Sequence, residues 1–448
     1  MVARLLFAAA ATASALFSSY DVVSLQLKAP FNELFDHART DDTYSVTGTL
    51  SFTDNGEPVT IDGVTLTLRG HTSRRESECR FPKLKVDIPK ASKRANGMLA
   101  GTGAIRIGTH CGEAPDEGVT ASFGRLPNEH SALREAFVYR LLDAVGVPAL
   151  KARPARITYV YADPRAGQSP PQDQPLVRHA LIVEDSDAAI ARVGGQHEIA
   201  ENEFKNAREQ FTTADTARLA LAEAMLGNFD WCLRMTADDQ YRCDARHPLW
   251  NIVAASGAGG RARPLMYDFD VSGIVTGRHL WFKDVLNTGF VPSRSEAEVE
   301  VLAQVQRARS LFSRRDLNAA RAEFVAKKSA AYQALDSATL DPSGKTNAKR
   351  YLDSFFAAIE SDAAFYRPVV VATGAKLYAD ANRAPLCGAS GDVPVGTPVS
   401  APLKNEGDLA QVMVLDALWH WQPAAKCPAA RQGPVWIEAA SIGSEYPK

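Results

Sequence analysis

Between residues 43 and 69 the chain reads TYSVTGTLSF, TDNGEP and VTIDGVTLTLRG, with β-branched and polar positions alternating about an Asn-Gly pair. Alternation places every second side chain on one face, and Asn-Gly suits a tight reversal, so this stretch predicts a β-hairpin. FPKLKVDI (81–88) alternates again, with Leu84, Val86 and Ile88 on one face and Lys83, Lys85 and Asp87 on the other. From 128 to 145 the period changes: Leu133, Ala136, Phe137, Leu141 and Ala144 fall on a helical stripe that Gly146 and Pro148 stop. ARITYVYA (155–162) and HALIVED (179–185) predict two further strands, separated by a Pro-rich turn. The first half is thus a β-rich lobe with one helix.

The second half is mostly helical. TTADTARLALAEAMLG, from 212, has a start that Thr213 or Asp215 can cap and ends at Gly227. Two short strand-like pieces, LWNIVAA and ARPLMYDF, follow, and residues 297–368 again show helical spacing. Beyond 368 the chain turns to short β-type runs with Gly, Pro and two cysteines, which predict a small β-barrel module. The expected class is α+β, with more than one domain in 448 residues.

Composition alters this picture little: 46% of residues are hydrophobic and 23% charged, as in an ordinary globular protein. A net charge of −2 gives no reason to expect nucleic acid as a partner. The opening MVARLLFAAAATASALFSS has Arg4 ahead of an apolar run and then small residues, the layout of a secretory signal peptide over 1–20. The run is short for a membrane span, so no transmembrane helix is expected in the mature chain. Six cysteines fall into pairs close in sequence: Cys79 with Cys111, Cys232 with Cys243, and Cys387 with Cys427. No CxxC and no Cys/His cluster is present, which favours disulfides and a secreted or periplasmic location over a metal site. Walker-type, GxGxxG, GxSxG and HExxH motifs are absent, removing several common chemistries.

The remaining chemistry lies in acids and amides at the ends of apolar elements. Asp230 follows LGNF, Asn251 lies in LWNIV, and Asp268 and Asp270 lie in MYDFD. Each has a plain structural explanation: a turn residue for Asp230, a solvated strand face for Lys83 and Lys85, a surface charge for Glu135. Two carboxylates across one Phe are harder to dismiss, because burying them requires a cation. Phosphoryl transfer uses such a set: a lysine on nucleotide phosphates with an acid beside it, a carboxylate to orient the hydroxyl, and oxygen ligands for Mg²⁺. Lys83 or Lys85, Glu135, Asp230, Asn251 and Asp268 occur in that order.

The order RGHTSR (69–74), FPKLKV (81–86), LREAFVYRLL (133–142), ALIVED (180–185), GNFDW (227–231), WNI (250–252) and YDFDVSG (267–273) resembles the spore-coat-protein-H type of atypical secreted kinases, over roughly residues 40–365. The resemblance implies a two-lobed, protein-kinase-like domain over 21–368, with an N-lobe at about 40–185 and a helical C-lobe at about 186–368. It implies ATP and Mg²⁺ as cofactors and a Ser or Thr hydroxyl of a secreted or cell-surface protein as acceptor. Lys83, with Lys85 as competitor, would contact phosphate, Glu135 would be the lysine's acidic partner, and Arg69 would open the phosphate-covering loop. Glu184 would lie beside the adenine, Asp230 would be the catalytic base, and Asn251, Asp268 and Asp270 would be metal ligands. CLRMTADDQYRCDARHPLW separates base from asparagine, an insertion that a Cys232–Cys243 bond would fold into a hairpin. Residues 369–448 resemble a bacterial Src-homology-3-like barrel, which implies a cell-wall peptide as ligand. The competing readings are an inactive surface binding or adhesion module and a kinase of a small molecule or glycan.

Overall fold

The computed structural model describes residues 15–92, 97–236, 247–257, 260–280, 295–386, 392–414, 428–431 and 433–446. Seven strands of the first half close into a barrel: β1 (Val23–Ala29), β2 (Val46–Asp54), β3 (Glu57–Leu68), β4 (Leu84–Asp87), β5 (Ala104–Gly108), β6 (Ala152–Tyr161) and β7 (Leu176–Val183). Their order around the barrel is β1-β2-β3-β4-β5-β7-β6. All neighbours are antiparallel except β1 and β6, which run parallel from Val23 opposite Ala155 to Ala29 opposite Tyr161 and so complete the closure. The β2–β3 reversal is the expected Asn-Gly turn, with positive φ at Asn55 (54°) and Gly56 (88°). Inward positions such as Leu27, Leu50, Val64, Leu84, Val86 and Ile157 form the core.

Two elements at the start of this barrel were not expected from the sequence. β1 alternates without a fault, with Val23, Leu25, Leu27 and Ala29 buried and Ser24, Gln26 and Lys28 exposed. Helix α1 (Phe31–Ala38) follows it and sends Phe31 and Leu34 into the barrel core, where the Phe31 ring meets Tyr159 edge-on. The barrel therefore begins at Val23, and a helix besides the expected one packs against its core. The expected helix is α2 (Glu129–Val145), capped by the Asn128 side chain accepting from the His130 amide and stopped by left-handed Gly146.

The chain divides into two compact units that interleave along the sequence. One comprises the described residues of Met1–Asp215, Asp230–Val271 and Gln333–Lys345, and the other those of Thr216–Phe229, Ser272–Tyr332 and Thr346–Lys448. After the barrel come α3 (Ser186–Arg192), β8 (Gly195–Glu198), α4 (Ala207–Gln210) and α5 (Thr213–Leu226). Thr212, one residue earlier than expected, caps α5 by accepting from the Asp215 amide. β9 (Cys232–Leu233) and β10 (Leu249–Trp250) form an antiparallel pair, and β11 (Ile252–Gly257) lies between β12 (Arg263–Met266) and β8.

The described residues from 295 to 368 are mainly helical, as the periodicity predicted. Helices α6 (Gly273–Thr276), α7 (Glu296–Leu311), α8 (Arg314–Ala326), α9 (Lys328–Asp336), α10 (Pro342–Ile359) and α11 (Asp362–Phe365) follow one another. Phe324, Phe355 and Phe356 pack edge to face at their centre. Glu300 is wholly buried, accepting from the Tyr351 hydroxyl (2.5 Å) and the His279 amide (2.7 Å). A Cβ at Gly273 would collide with Tyr351 and Glu300, so only glycine lets the chain pass this pair.

The described residues of the C-terminal stretch hold seven short strands, β13 (Val369–Val370), β14 (Ala375–Lys376), β15 (Asp392–Val393), β16 (Lys404–Glu406), β17 (Leu409–Val412), β18 (Val435–Glu438) and β19 (Ile442–Gly443). They pair as β13 with β19, β14 with β15, and β16-β17-β18, around Val370, Val399, Val412 and Ile437. Among the described residues these are small open sheets, and the closed barrel of this chain is the N-terminal one. Cys79 and Cys111 are disulfide-bonded as their proximity suggested. Cys232 is also in a disulfide, while Cys243, Cys387 and Cys427 lie outside the described residues. Among the described residues no helix is long and apolar enough to cross a membrane.

Candidate functional site

Lys83 stands immediately before β4, on the face opposite the core residues Leu84 and Val86. At position 85 that face is open, and Lys85 pairs at 2.8 Å with Asp87, each side chain about two-fifths exposed (39% and 40%). At position 83 the face is covered: Lys83 is buried and forms salt bridges to Asp268 and to Asp270, the latter at 2.9 Å. What lies over the two lysines thus sets them apart. Lys83 is the one brought to the acids.

The acids come from the segment just after β12, held by α2. Tyr139 Oη accepts from the Asp268 amide at 3.1 Å, and Glu135 Oε1 accepts from the Phe269 amide at 3.4 Å. These residues are one helical turn apart, so they lie on one side of α2. Asp268 itself is left-handed, with φ 63°. Such a conformation costs a non-glycine residue of order 1–3 kcal/mol and persists only where the surroundings impose it. With Asp268 turned in this way, both carboxylates of MYDFD reach Lys83.

Burial and charge act against each other here. Burial pushes the Lys83 ammonium down, but Asp268, Asp270 and Glu135 outweigh it and hold the pKa above its ordinary value. Burial pushes Asp270 up, and Arg125 and Lys83 override it, keeping this carboxylate well below the usual range. Glu135 goes the other way: burial pushes it up to about 7, with the Lys83 charge only partly offsetting this. Glu135 thus acts on the lysine through its charge, while the direct ion pairs of Lys83 run to Asp268 and Asp270.

Asp230 and Asn251 form a second cluster beside the first. The pairing of β9 with β10 folds the long insertion back, setting Trp250 opposite Cys232 and Asn251 beside Asp230. Asn251 Nδ2 donates to the Asp230 carbonyl at 2.6 Å and carboxylate at 3.1 Å, and reaches the Asp268 carbonyl at 3.5 Å. Trp250 Nε1 donates to the other Asp230 oxygen at 3.1 Å. Asn251 is left-handed too (φ 56°), a conformation asparagine tolerates better than most residues. With its NH₂ group used in this way, its Oδ1 remains as an acceptor.

The outlying candidates differ. Arg69 donates its amide to the Lys83 carbonyl at 2.9 Å, and its charge is felt by Lys83 and Glu135. The Glu184 carboxylate, expected beside an adenine, is held by Arg192 at 2.8 Å and accepts from the Lys151 amide at 2.9 Å. Sequence reasoning missed Tyr139 and Arg125. Tyr139 carried a signal, its four-residue spacing from Glu135. Arg125, buried in FGRLP, donates Nε to Asp270 at 2.9 Å and Nη2 to Thr72 Oγ1 at 2.8 Å, and nothing in its sequence context announces this.

Among the described residues no group of three His, Cys, Asp or Glu side chains is placed to hold a metal ion. The oxygen donors present are the Asp268 and Asp270 carboxylates and the Asn251 amide. That set suits Mg²⁺, which takes one or two carboxylates from protein and completes its shell with water and phosphate oxygens.

No family model and no curated protein matches the chain. Similarities to solved structures include the following two. The Helicobacter pylori proinflammatory kinase CtkA is 10% identical with TM-score 0.30, covering 63% of this chain and 92% of its own. HipA of the Shewanella oneidensis MR-1 toxin–antitoxin system, in a complex with HipB and operator DNA, is 14% identical with TM-score 0.29, covering 62% of this chain and 63% of its own. Similarity at this level leaves the chemistry of the site to be read from its own residues.

Proposed function

We propose that this chain is an exported kinase-type phosphotransferase that moves the γ-phosphoryl group of ATP to a Ser or Thr hydroxyl of a secreted or cell-surface protein, using Mg²⁺. The observation that carries the reading is the convergence of Asp268 and Asp270 on buried Lys83, with the hydrogen-bonded pair Asp230–Asn251 alongside. In this reading Lys83 binds phosphate oxygens, while Asp268, Asp270 and the Asn251 amide oxygen hold Mg²⁺, which supplies positive charge to the transferring group. Asp230 accepts the proton of the acceptor hydroxyl, and Trp250 and Asn251 fix the direction of its carboxylate. Glu135 and Tyr139 hold the backbone that carries the metal ligands.

A binding module without transfer is the second reading. It is favoured by one observation: Lys83 and Arg125 already neutralise Asp270, the more buried of the two acids. The experiment that separates the two is calorimetry of the full chain with ATP, with and without Mg²⁺, followed by transfer from labelled ATP to candidate exported proteins. The phosphotransferase reading expects Mg²⁺-dependent ATP binding that Asp268→Asn abolishes, because an amide is a poorer ligand for a hard cation than a carboxylate. Mg²⁺ dependence that survives Asp268→Asn removes Asp268 from the site, and an absence of ATP binding in the wild-type chain ends the reading.

A further inference from the structure

Arg125 is a second cation paired with the acids of the site. Its guanidinium is buried and held from four sides. Nε donates to Asp270 Oδ2 (2.9 Å), Nη2 donates to Thr72 Oγ1 (2.8 Å), Nη1 lies 3.5 Å from Glu78 Oε2, and the plane rests over the Phe123 ring at 5.6 Å. Arg75 lies over the same ring at 5.4 Å. Glu78 is fixed in turn by the Thr120 hydroxyl at 2.6 Å and adjoins the Cys79–Cys111 disulfide. Arg125 thus links the RGHTSR segment, through Thr72, to a carboxylate expected to hold metal.

Charge balance says what this arrangement accepts. Asp268 and Asp270 already face Lys83 and Arg125, so a divalent cation arriving alone competes with two fixed cations for their oxygens. A polyphosphate arriving alone meets two carboxylates beside each cation. A metal–polyphosphate complex resolves both conflicts: the carboxylates turn to the metal, and the freed ammonium and guanidinium turn to phosphate. A planar guanidinium offers two parallel donors to such an oxyanion.

We propose that Arg125 is a second phosphate-binding cation, exchanging Asp270 for a phosphoryl oxygen when a metal–polyphosphate complex enters, so that Asp268 and Asp270 accept a divalent cation only together with that polyanion. This deepens the nucleotide reading and rests on it. Because Thr72 shares the guanidinium, the exchange also draws the 69–74 segment toward the phosphates.

Calorimetry of the full chain with three probes tests this: Mg²⁺ alone, tripolyphosphate alone, and Mg·ATP. The wild-type chain is expected to bind Mg·ATP and to bind either component alone far more weakly. Arg125→Met is expected to lose on the order of 10- to 100-fold in Mg·ATP affinity, the worth of a charged hydrogen bond. The same variant is expected to bind Mg²⁺ alone more tightly, since Asp270 loses a competitor. A structural role alone would not strengthen metal binding. Arg125→Lys keeps a charge beside Asp270 and guards against a folding defect; it is expected to be several-fold weaker than wild type for Mg·ATP, because a point charge replaces the fork. Wild-type Mg·ATP affinity in Arg125→Met, or in Arg125→Lys should the methionine variant not fold, overturns the role of Arg125 and leaves the kinase reading standing. A wild-type chain that binds no Mg·ATP overturns both.

Discussion

At residue scale, Lys83 and Lys85 share a strand face but not an environment. Replacing Lys83 by Met strips Asp268 of its ion-pair partner and leaves Asp270 with Arg125 alone. Removing one partner of a buried pair strands the other charge, so Lys83→Met is expected to cost about 3 kcal/mol in chemical denaturation and to abolish Mg·ATP binding. Lys85→Met, at an exposed pair, is expected to stay within about 0.5 kcal/mol and to keep binding. Equal losses for the two variants would contradict the assignment of Lys83. Asp230→Asn gives a second residue-level test. The amide retains one acceptor for its two donors, so the fold and Mg·ATP binding are expected to survive while transfer falls on the order of 10²–10⁴-fold. Full transfer activity in that variant would leave Asp230 as a turn residue. The order of Lys83, Glu135, Asp230, Asn251 and Asp268 was legible because phosphoryl transfer needs those residue types in some such set. Arg125 was not, because an arginine in a loop declares nothing until the partner brought to it from 145 residues away is known.

At element scale, the hairpin, α2 and the helices beyond 295 followed from periodicity, because one face of each is buried and the other solvated. β1 has the cleanest alternation of all, but it directly follows the apolar run from Leu5 to Phe17, whose pattern reads as a leader and masks where the strand begins. The packing of the segment before β1 bears on that leader. Leu16 is 1% exposed within the barrel core, its carbonyl accepts from Arg153 at 3.2 Å, and Tyr20 donates its hydroxyl to Asp143 at 2.6 Å. A mature terminus at Asp21 would forfeit the burial of Leu16, worth roughly 1.5–3 kcal/mol, and both hydrogen bonds. If the chain is exported as proposed, cleavage is therefore expected no later than Ala15, within the small-residue run ATASA. Intact-mass measurement of the exported protein checks this; a terminus at Asp21 would show that the packed segment is dispensable.

At the scale of the whole molecule, stability is expected to depend on pH through Glu300. Burial pushes this carboxyl from its ordinary 4.5 up to about 8, against the donors Tyr351 and His279. The folded chain thus keeps a proton that the unfolded chain has lost between those values. The contribution is complete below 4.5 and disappears as pH rises through 8. Melting temperature is expected to fall across that window, on the order of a few degrees. Glu300→Gln, neutral at every pH and of the same shape, is expected to flatten the profile and to melt higher than wild type at pH 8. A wild-type profile that rises between pH 5 and 8 would mean Glu300 is ionised in the fold.

The parallel pairing of β1 with β6 also constrains how the chain can be made. One edge of β1 is satisfied early, by β2, but the other has no partner until Ala155–Tyr161 has been synthesised. Until then the nascent chain carries an open row of backbone donors and acceptors beside its most regularly alternating strand, a template for pairing with other chains. A fragment that stops before Ala152 has lost both neighbours that flank the gap, β6 and β7, and its sheet ends in two bare edges. Such fragments are expected to aggregate, and the full chain is most exposed to the same fate in the interval before the barrel closes.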